Sequence, residues 1–164
     1  MIKGVGPNIG GKYKQNFFVP KNPHKYMGDN TRIISRSSWE TRFCTWCDLH
    51  PNIIKWNSEG VMVPYISPLD NKPHRYYVDF WVLIERDGEK RQYLIEVKPK
   101  AQTLPPGKVL MSKVNEGNAT AAQLKRYNRE LRVYIVNRSK FIAATKYANA
   151  RGMEFQVCTE NFLF

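Results

Sequence analysis

The sequence predicts an α/β domain in which a mixed β-sheet is flanked by helices, with core elements in the order α-β-β-β-α-β. Three observations carry this expectation. Apolar residues recur at helical spacing around residue 40. Three later runs are rich in β-branched and aromatic residues, and a long helical stretch then precedes one last short strand. With 164 residues, an apolar fraction of 42% and four tryptophans, the chain can bury a sizeable single core.

The elements follow in chain order. The N-terminal segment holds seven glycines and prolines by residue 23, together with Lys3, Lys12, Lys14, Lys21 and Lys25. Its composition predicts a flexible basic arm over residues 1–30, leaving 31–164 as one domain. Over 36–49, Trp39, Phe43, Trp46 and Leu49 recur at helical spacing, Ser37 or Ser38 is placed to cap the start, and Pro51 follows the end. Strands are expected over 60–67, 76–85 and 92–98, the first two separated by the turn-rich stretch 68–73. Residues 99–118, with Pro99, Gly107, Lys100, Lys108 and Lys113, read as a loop. A helical region then runs over 119–150, and Asn137 marks where it would break if it does. Gly152 stops it before a last strand at 154–159.

Charge narrows the partners. There are 26 Lys and Arg against 14 Asp and Glu, a formal +12, which is the footprint of a protein that meets a polyanion. No apolar run approaches the ~18–20 residues that span a bilayer, and Met1-Ile2-Lys3-Gly4 opens no signal-peptide core. Nucleic acid is therefore the expected partner, and a membrane is not. Three cysteines, an odd number, argue for a reducing compartment rather than a disulfide framework. Cys44, Cys47 and His50 have a suggestive spacing. On a helix, however, steps of three spread them over roughly 120°, and no second cysteine pair completes a tetrahedral site. Partly buried free thiols are the expectation.

The chemistry concentrates in Leu94-Ile95-Glu96-Val97-Lys98, an apolar strand interrupted by two charges on one face. A lone charge in such a place costs several kcal/mol unless it is paired, hydrated or metal-bound. Asp87-Gly88 is a hairpin signal, and a turn centred there makes opposed residue numbers sum to 175. Asp79 then faces Glu96 with Cβ atoms about 5 Å apart, and Lys98 shares their face. Two adjacent carboxylates repel, and a hard divalent cation between them removes the conflict; oxygen ligands with room for water suit Mg²⁺, with Mn²⁺ as the alternative. The pattern points to metal-assisted phosphodiester hydrolysis, against a purely structural Asp79–Lys98 salt bridge. By periodicity alone Glu40, beside Trp39, is a surface glutamate that flanks the apolar stripe.

The layout of Asp79, then Glu96-Val97-Lys98, with a glutamate on an upstream helix, resembles the PD-(D/E)xK nuclease superfamily. More closely, the chain resembles the head completion nucleases of tailed bacteriophages. The residues that carry this are Tyr26-Met27-Gly28-Asp29, Arg36-Ser37-Ser38-Trp39-Glu40, Asn52-Ile53-Ile54-Lys55-Trp56, Ile66-Ser67-Pro68, His74-Arg75-Tyr76-Tyr77-Val78-Asp79-Phe80-Trp81, Ile95-Glu96-Val97-Lys98-Pro99 and Thr159-Glu160-Asn161. It is more distantly similar to TnsA-type transposon end-cleaving nucleases. The resemblance implies a restriction-endonuclease-like core and Mg²⁺-dependent endo- and exonuclease activity on double-stranded DNA. It also implies a role late in phage assembly, in the host-cell cytoplasm or the virion, with head, portal or neck proteins as partners. Carried over by position, Asp79, Glu96 and the Val97 main-chain carbonyl become metal ligands, Lys98 the catalytic lysine, and Glu40 the helix glutamate and a further candidate ligand. The first motif reads Val78-Asp79 rather than Pro-Asp, a departure that is common in the superfamily.

His74 and Arg75 lead straight into Asp79 and, with Lys100, are the candidates for phosphate contact, although His74 also fits an exposed loop histidine. Arg126, Arg129 and Arg132 read as a solvated or protein-facing surface of the long helix. No base-reading module is evident, so backbone contacts that weaken with salt are expected. Two alternatives remain open at this point: a head–neck protein that binds DNA ends or the portal without hydrolysis, and a junction-resolving endonuclease of the same superfamily.

Overall fold

The computed structural model describes residues 16–163. In chain order the elements are β1 (Asn16–Phe18), β2 (Ile33–Ser35), α1 (Ser38–Leu49), β3 (Ile53–Ile66), β4 (Pro73–Arg86), β5 (Glu89–Val97), α2 (Lys108–Asn115), α3 (Ala121–Asn149), β6 (Glu154–Cys158) and α4 (Glu160–Leu163). The main sheet has the order β3-β4-β5-β6, antiparallel until β6 joins β5 in parallel. It is the mixed sheet of the expected core, with β1 and β2 added as a separate two-stranded ribbon.

Alternation along β5 divides the core in two. Ile95 and Val97 pack with Phe43, Cys44 and Cys47 of α1, together with Trp56, Phe80 and Val82. Leu94 points the other way, into a cluster with Val63, Tyr76, Val78 and Ala144 and Ala148 of α3. The two helices thus cover opposite faces, and small alanines let α3 lie close to the sheet. Phe43, 1% exposed and 4.6 Å from the Phe80 ring, anchors α1; its truncation to alanine would cost about 3–5 kcal/mol.

The β4–β5 hairpin turns as the sequence predicts. Asp87 and Gly88 both have positive φ, 53° and 80°, as a type I′ turn requires. Every ladder pair from Arg86↔Glu89 to Phe80↔Ile95 keeps the sum of 175. By contrast, β3 begins at Ile53 rather than 60 because a bulge hides its pattern. The register slips between Ser58 and Val61, with Glu59 at φ 52°. A Cβ added at Gly60 would stand 2.3 Å from the Asn57 side chain, which would have to swing aside.

Three expectations are corrected. Residues 16–30 are not a free arm. β1 pairs with β2, and the buried Asp48 carboxylate accepts the Lys21 and Asn22 N–H groups at 2.7 and 2.9 Å. Lys25 Nζ closes the clamp on the Asp48 and His50 carbonyls; residues 1–15 of the expected arm lie outside the described residues. The long helix does not break at Asn137. That side chain is buried and donates to the Gln102 carbonyl at 3.0 Å, tying α3 to the turn after β5. Finally, the segment 99–118 contains α2 rather than being loop throughout.

Candidate active site

The site forms where the β4–β5 ladder ends. The last ladder pair is Phe80↔Ile95, and at the next position a side chain takes over from the backbone: Asp79 Oδ2 accepts the Val97 N–H at 2.8 Å. Asp79 therefore lies beside Glu96 and Val97 past the end of the ladder, rather than facing Glu96 as a ladder pair. Glu96, 2% exposed, is held from two sides. Lys98 Nζ lies 2.9 Å from Oε1, and the Tyr76 hydroxyl donates to Oε2 at 2.6 Å. The Lys98 N–H bonds the Cys158 carbonyl, so β6 fixes the backbone that carries the lysine.

Electrostatics follow from burying like charges together. Burial pushes the Asp79 carboxyl well above the usual aspartate range; the Glu96 charge adds to this, while Lys98 and the Val97 N–H oppose it. Burial pulls the Lys98 ammonium down, but Glu96, Asp79 and the hydrogen bond to Glu96 outweigh it and leave it above the ordinary lysine value. Burial first, then Glu96, raises the Tyr76 phenol, which remains a proton donor.

Glu40 reaches the same cleft but is turned to its own helix. Ser37 caps α1 by accepting the Glu40 N–H at 3.1 Å, and the Glu40 carboxylate answers by accepting from the Ser37 hydroxyl and the Arg36 N–H. Arg36 in turn pairs with Glu59 of the β3 bulge at 2.8 Å. Glu40, Val97 and Lys98 line a cleft of about 560 Å³ between the α1 N-terminus and Pro99. Among the described residues no three His, Cys, Asp or Glu side chains stand together as a ready-made metal cage. The donor set nonetheless fits a hard cation. No hydrogen bond engages Asp79 Oδ1 among the described residues, and a carboxylate offers about four lone-pair sites, so Glu96 keeps acceptor capacity beyond its two bonds.

The phosphate-contact candidates are spread around this centre. Arg75 is exposed four residues before Asp79. His74 is exposed and bonded to Asp70 at 2.8 Å, which lowers the Asp70 pKa. Lys100 is exposed just past Pro99, its N–H held by Glu160. The sequence did not single out Tyr76 as a partner of Glu96, nor Lys140, whose ammonium lies over the Tyr76 ring from α3. The three thiols are free and buried. Burial raises Cys44 to about 12 and Cys158 to about 11, and pushes Cys47 up as well. No helix among the described residues is long and apolar enough to cross a membrane.

A mixed four-stranded sheet between two helices, with an aspartate ending one ladder and Glu-x-Lys on the neighbouring strand, is a restriction-endonuclease-like core. Residues 50–160 match the family described as TnsA-like endonuclease N terminal, and the chain belongs to that family and is a nuclease. Over 146 residues, 89% of this chain and 91% of its relative, it is 38% identical to the head completion nuclease of Enterobacteria phage T4. No solved structure matches the chain at comparable significance. Asp79, Glu96 and Lys98 lie inside the matched family region, and Glu40 precedes it.

Proposed function

We propose that the chain is a Mg²⁺-dependent DNA nuclease of phage head completion, with endo- and exonuclease activity, that processes packaged DNA before head–tail joining. The observation that carries this is the buried Glu96, with the Lys98 ammonium 2.9 Å from its carboxylate and the half-buried Asp79 accepting the N–H of the next residue, Val97. Gathering these charges at a sheet end costs the fold desolvation and repulsion, which makes the cluster a candidate for chemistry. The similarity to the phage T4 protein supports the biological setting, with head, portal or neck proteins as partners and the infected cytoplasm or the virion as the place.

Asp79, Glu96 and the Val97 carbonyl are assigned to hold the divalent ion, with Mn²⁺ as an alternative and Glu40, whose charge acts on both Asp79 and Lys98, as a further candidate ligand. When bound, such an ion polarises the phosphodiester and makes a metal-held water acidic enough to attack. Lys98, 2.9 Å from Glu96, is placed to donate a hydrogen bond to the phosphate oxygens or to the attacking water. Tyr76 keeps Glu96 oriented through its hydroxyl. The formal +12 charge supplies general attraction to the duplex, and Arg75, His74 and Lys100 are assigned to phosphates flanking the scissile one.

The test is incubation of purified protein with linear, circular, nicked and branched duplex DNA, with Mg²⁺ or with EDTA. Cleavage of circular DNA and shortening of linear ends, both abolished by EDTA, are expected. Salt-sensitive binding without cleavage would instead make the chain a head–neck DNA-binding protein. Cleavage confined to branched DNA would make it a junction-resolving enzyme.

A further inference from the structure

Lys140 is a half-buried lysine in the middle of α3. Among the described residues it makes no salt bridge. Its ammonium instead lies 5.3 Å from the centre of the Tyr76 ring and 5.8 Å from that of Tyr65, two rings that meet edge to face. An ammonium in this setting is partly stripped of water, and burial lowers its pKa. The ring faces return part of that cost. The nearest compensation by charge comes from the site itself, since Glu96 and Asp79 both pull the pKa back up while Lys98 opposes them.

Tyr76 links the two. Its ring carries Lys140 on one side, and its hydroxyl donates to Glu96 Oε2 at 2.6 Å. The other oxygen of Glu96 is held by Lys98. From these contacts we infer that Lys140 is a positioning residue for the nuclease site, acting through Tyr76 on Glu96. α3 thereby supplies a second cation that fixes the orientation of the Glu96 carboxylate and offsets the charge it shares with Asp79. Lys98 directly follows β5, whereas Lys140 comes to the Tyr76 ring from α3. The inference rests on the nuclease reading of Glu96.

The variants are Lys140→Met, Lys140→Arg, Tyr76→Phe and the double variant Lys140→Met/Tyr76→Phe. Each is compared with wild type for fold, for Mn²⁺ affinity by calorimetry, and for the kcat and KM of DNA cleavage. Groups that orient a metal ligand are commonly worth 10- to 100-fold in affinity or activity. Lys140→Met is expected to fold, to weaken Mn²⁺ binding and lower kcat by about 10-fold or more, and to leave KM for DNA unchanged. Lys140→Arg should recover most of the loss because it restores the charge over the ring. The double variant should be no worse than the more damaged single, because both act through one carboxylate. The inference is overturned if Lys140→Met changes only KM and the salt dependence, which would make it a phosphate contact. It is also overturned if the two substitutions multiply, or if wild type and Lys140→Met agree in ion affinity and kcat. A wild type that neither binds Mn²⁺ nor cleaves DNA overturns the nuclease reading and this inference with it. A wild type that cleaves alongside an unaffected Lys140→Met overturns this inference alone.

Discussion

Asp79→Asn should make the protein more stable while it removes activity. The substitution keeps the shape of the side chain and an oxygen that can accept the Val97 N–H at 2.8 Å. What it removes is a charge that burial and Glu96 both disfavour, with Lys98 offsetting only part of the penalty. Because the folded-state pKa of Asp79 is raised, the native protein binds this proton more tightly than the unfolded chain does. Stability from this group therefore falls as pH rises between the ordinary carboxyl value of about 4 and the raised value. At pH 7 without divalent ions, Asp79→Asn is expected to gain about 1–2 kcal/mol, within the range seen when buried charges are neutralised. For a domain of this size that is roughly 3–6 °C in Tm. The gain should shrink as pH falls toward 4, where the wild-type carboxyl takes up its own proton. Thermal unfolding followed by circular dichroism in EDTA across pH 4–8 measures both effects. Adding Mg²⁺ should then favour the wild type selectively, by about 1.4 kcal/mol at ten times the dissociation constant. An Asp79→Asn variant less stable than wild type at pH 7, or a gap that does not change with pH, would refute the reasoning.

Three further substitutions probe the surroundings. Lys98→Met leaves Glu96, 2% exposed, with Tyr76 as its remaining hydrogen-bond partner; the lysine is 28% exposed, so the loss at neutral pH should be about 2–3 kcal/mol rather than the full 3–5 of a deeply buried pair. Because the Lys98 pKa is raised, the wild-type advantage should be complete below the ordinary lysine value of about 10.5 and disappear as pH rises through the folded value, as urea titrations at pH 7–11 will report. Glu40→Gln keeps an acceptor for the Arg36 N–H and should change stability by less than about 1 kcal/mol, while lowering cleavage at least about tenfold; full cleavage would leave Glu40 as a helix cap and nothing more. Asp48→Ala strands two backbone donors and should cost about 2–4 kcal/mol; limited proteolysis should then cut within residues 16–30, and unchanged protection there would contradict the clamp.

The sequence was most informative where local chemistry and geometry agreed. Asp87-Gly88 can turn the chain in only a few ways, and the register it sets holds through Phe80↔Ile95, which brings Asp79 to the end of the ladder beside Glu96. Helix α1 showed in the spacing of Trp39, Phe43 and Trp46 because one face packs and the other does not. β3 was cut short at 60 because its bulge interrupts alternation, so Ile53 and Trp56 looked unconnected to Val63. The ribbon of β1 and β2 has three residues per strand, too few for any period to emerge. It is held instead by the core, where Ile33 is buried and Phe18 packs against the same cluster. Glu40 was legible as a site residue only through resemblance, and its observed hydrogen bonds tie it to the Ser37 cap and the Arg36 N–H at the start of its own helix. Nothing in the sequence marked Tyr76 as a partner of Glu96, or Lys140 as a partner of Tyr76. Their importance depends on a fold that brings residues 76, 96 and 140 to one point, and no local pattern encodes such a meeting.

The central claim is that Asp79 and Glu96 form a metal-dependent phosphodiester site. Incubating circular duplex DNA with wild type and with Glu96→Ala, in Mg²⁺ and in EDTA, tests it most directly. Cleavage by wild type in Mg²⁺ alone, with none by folded Glu96→Ala, is the outcome expected. Cleavage that persists in EDTA, or at full rate in Glu96→Ala, would contradict it.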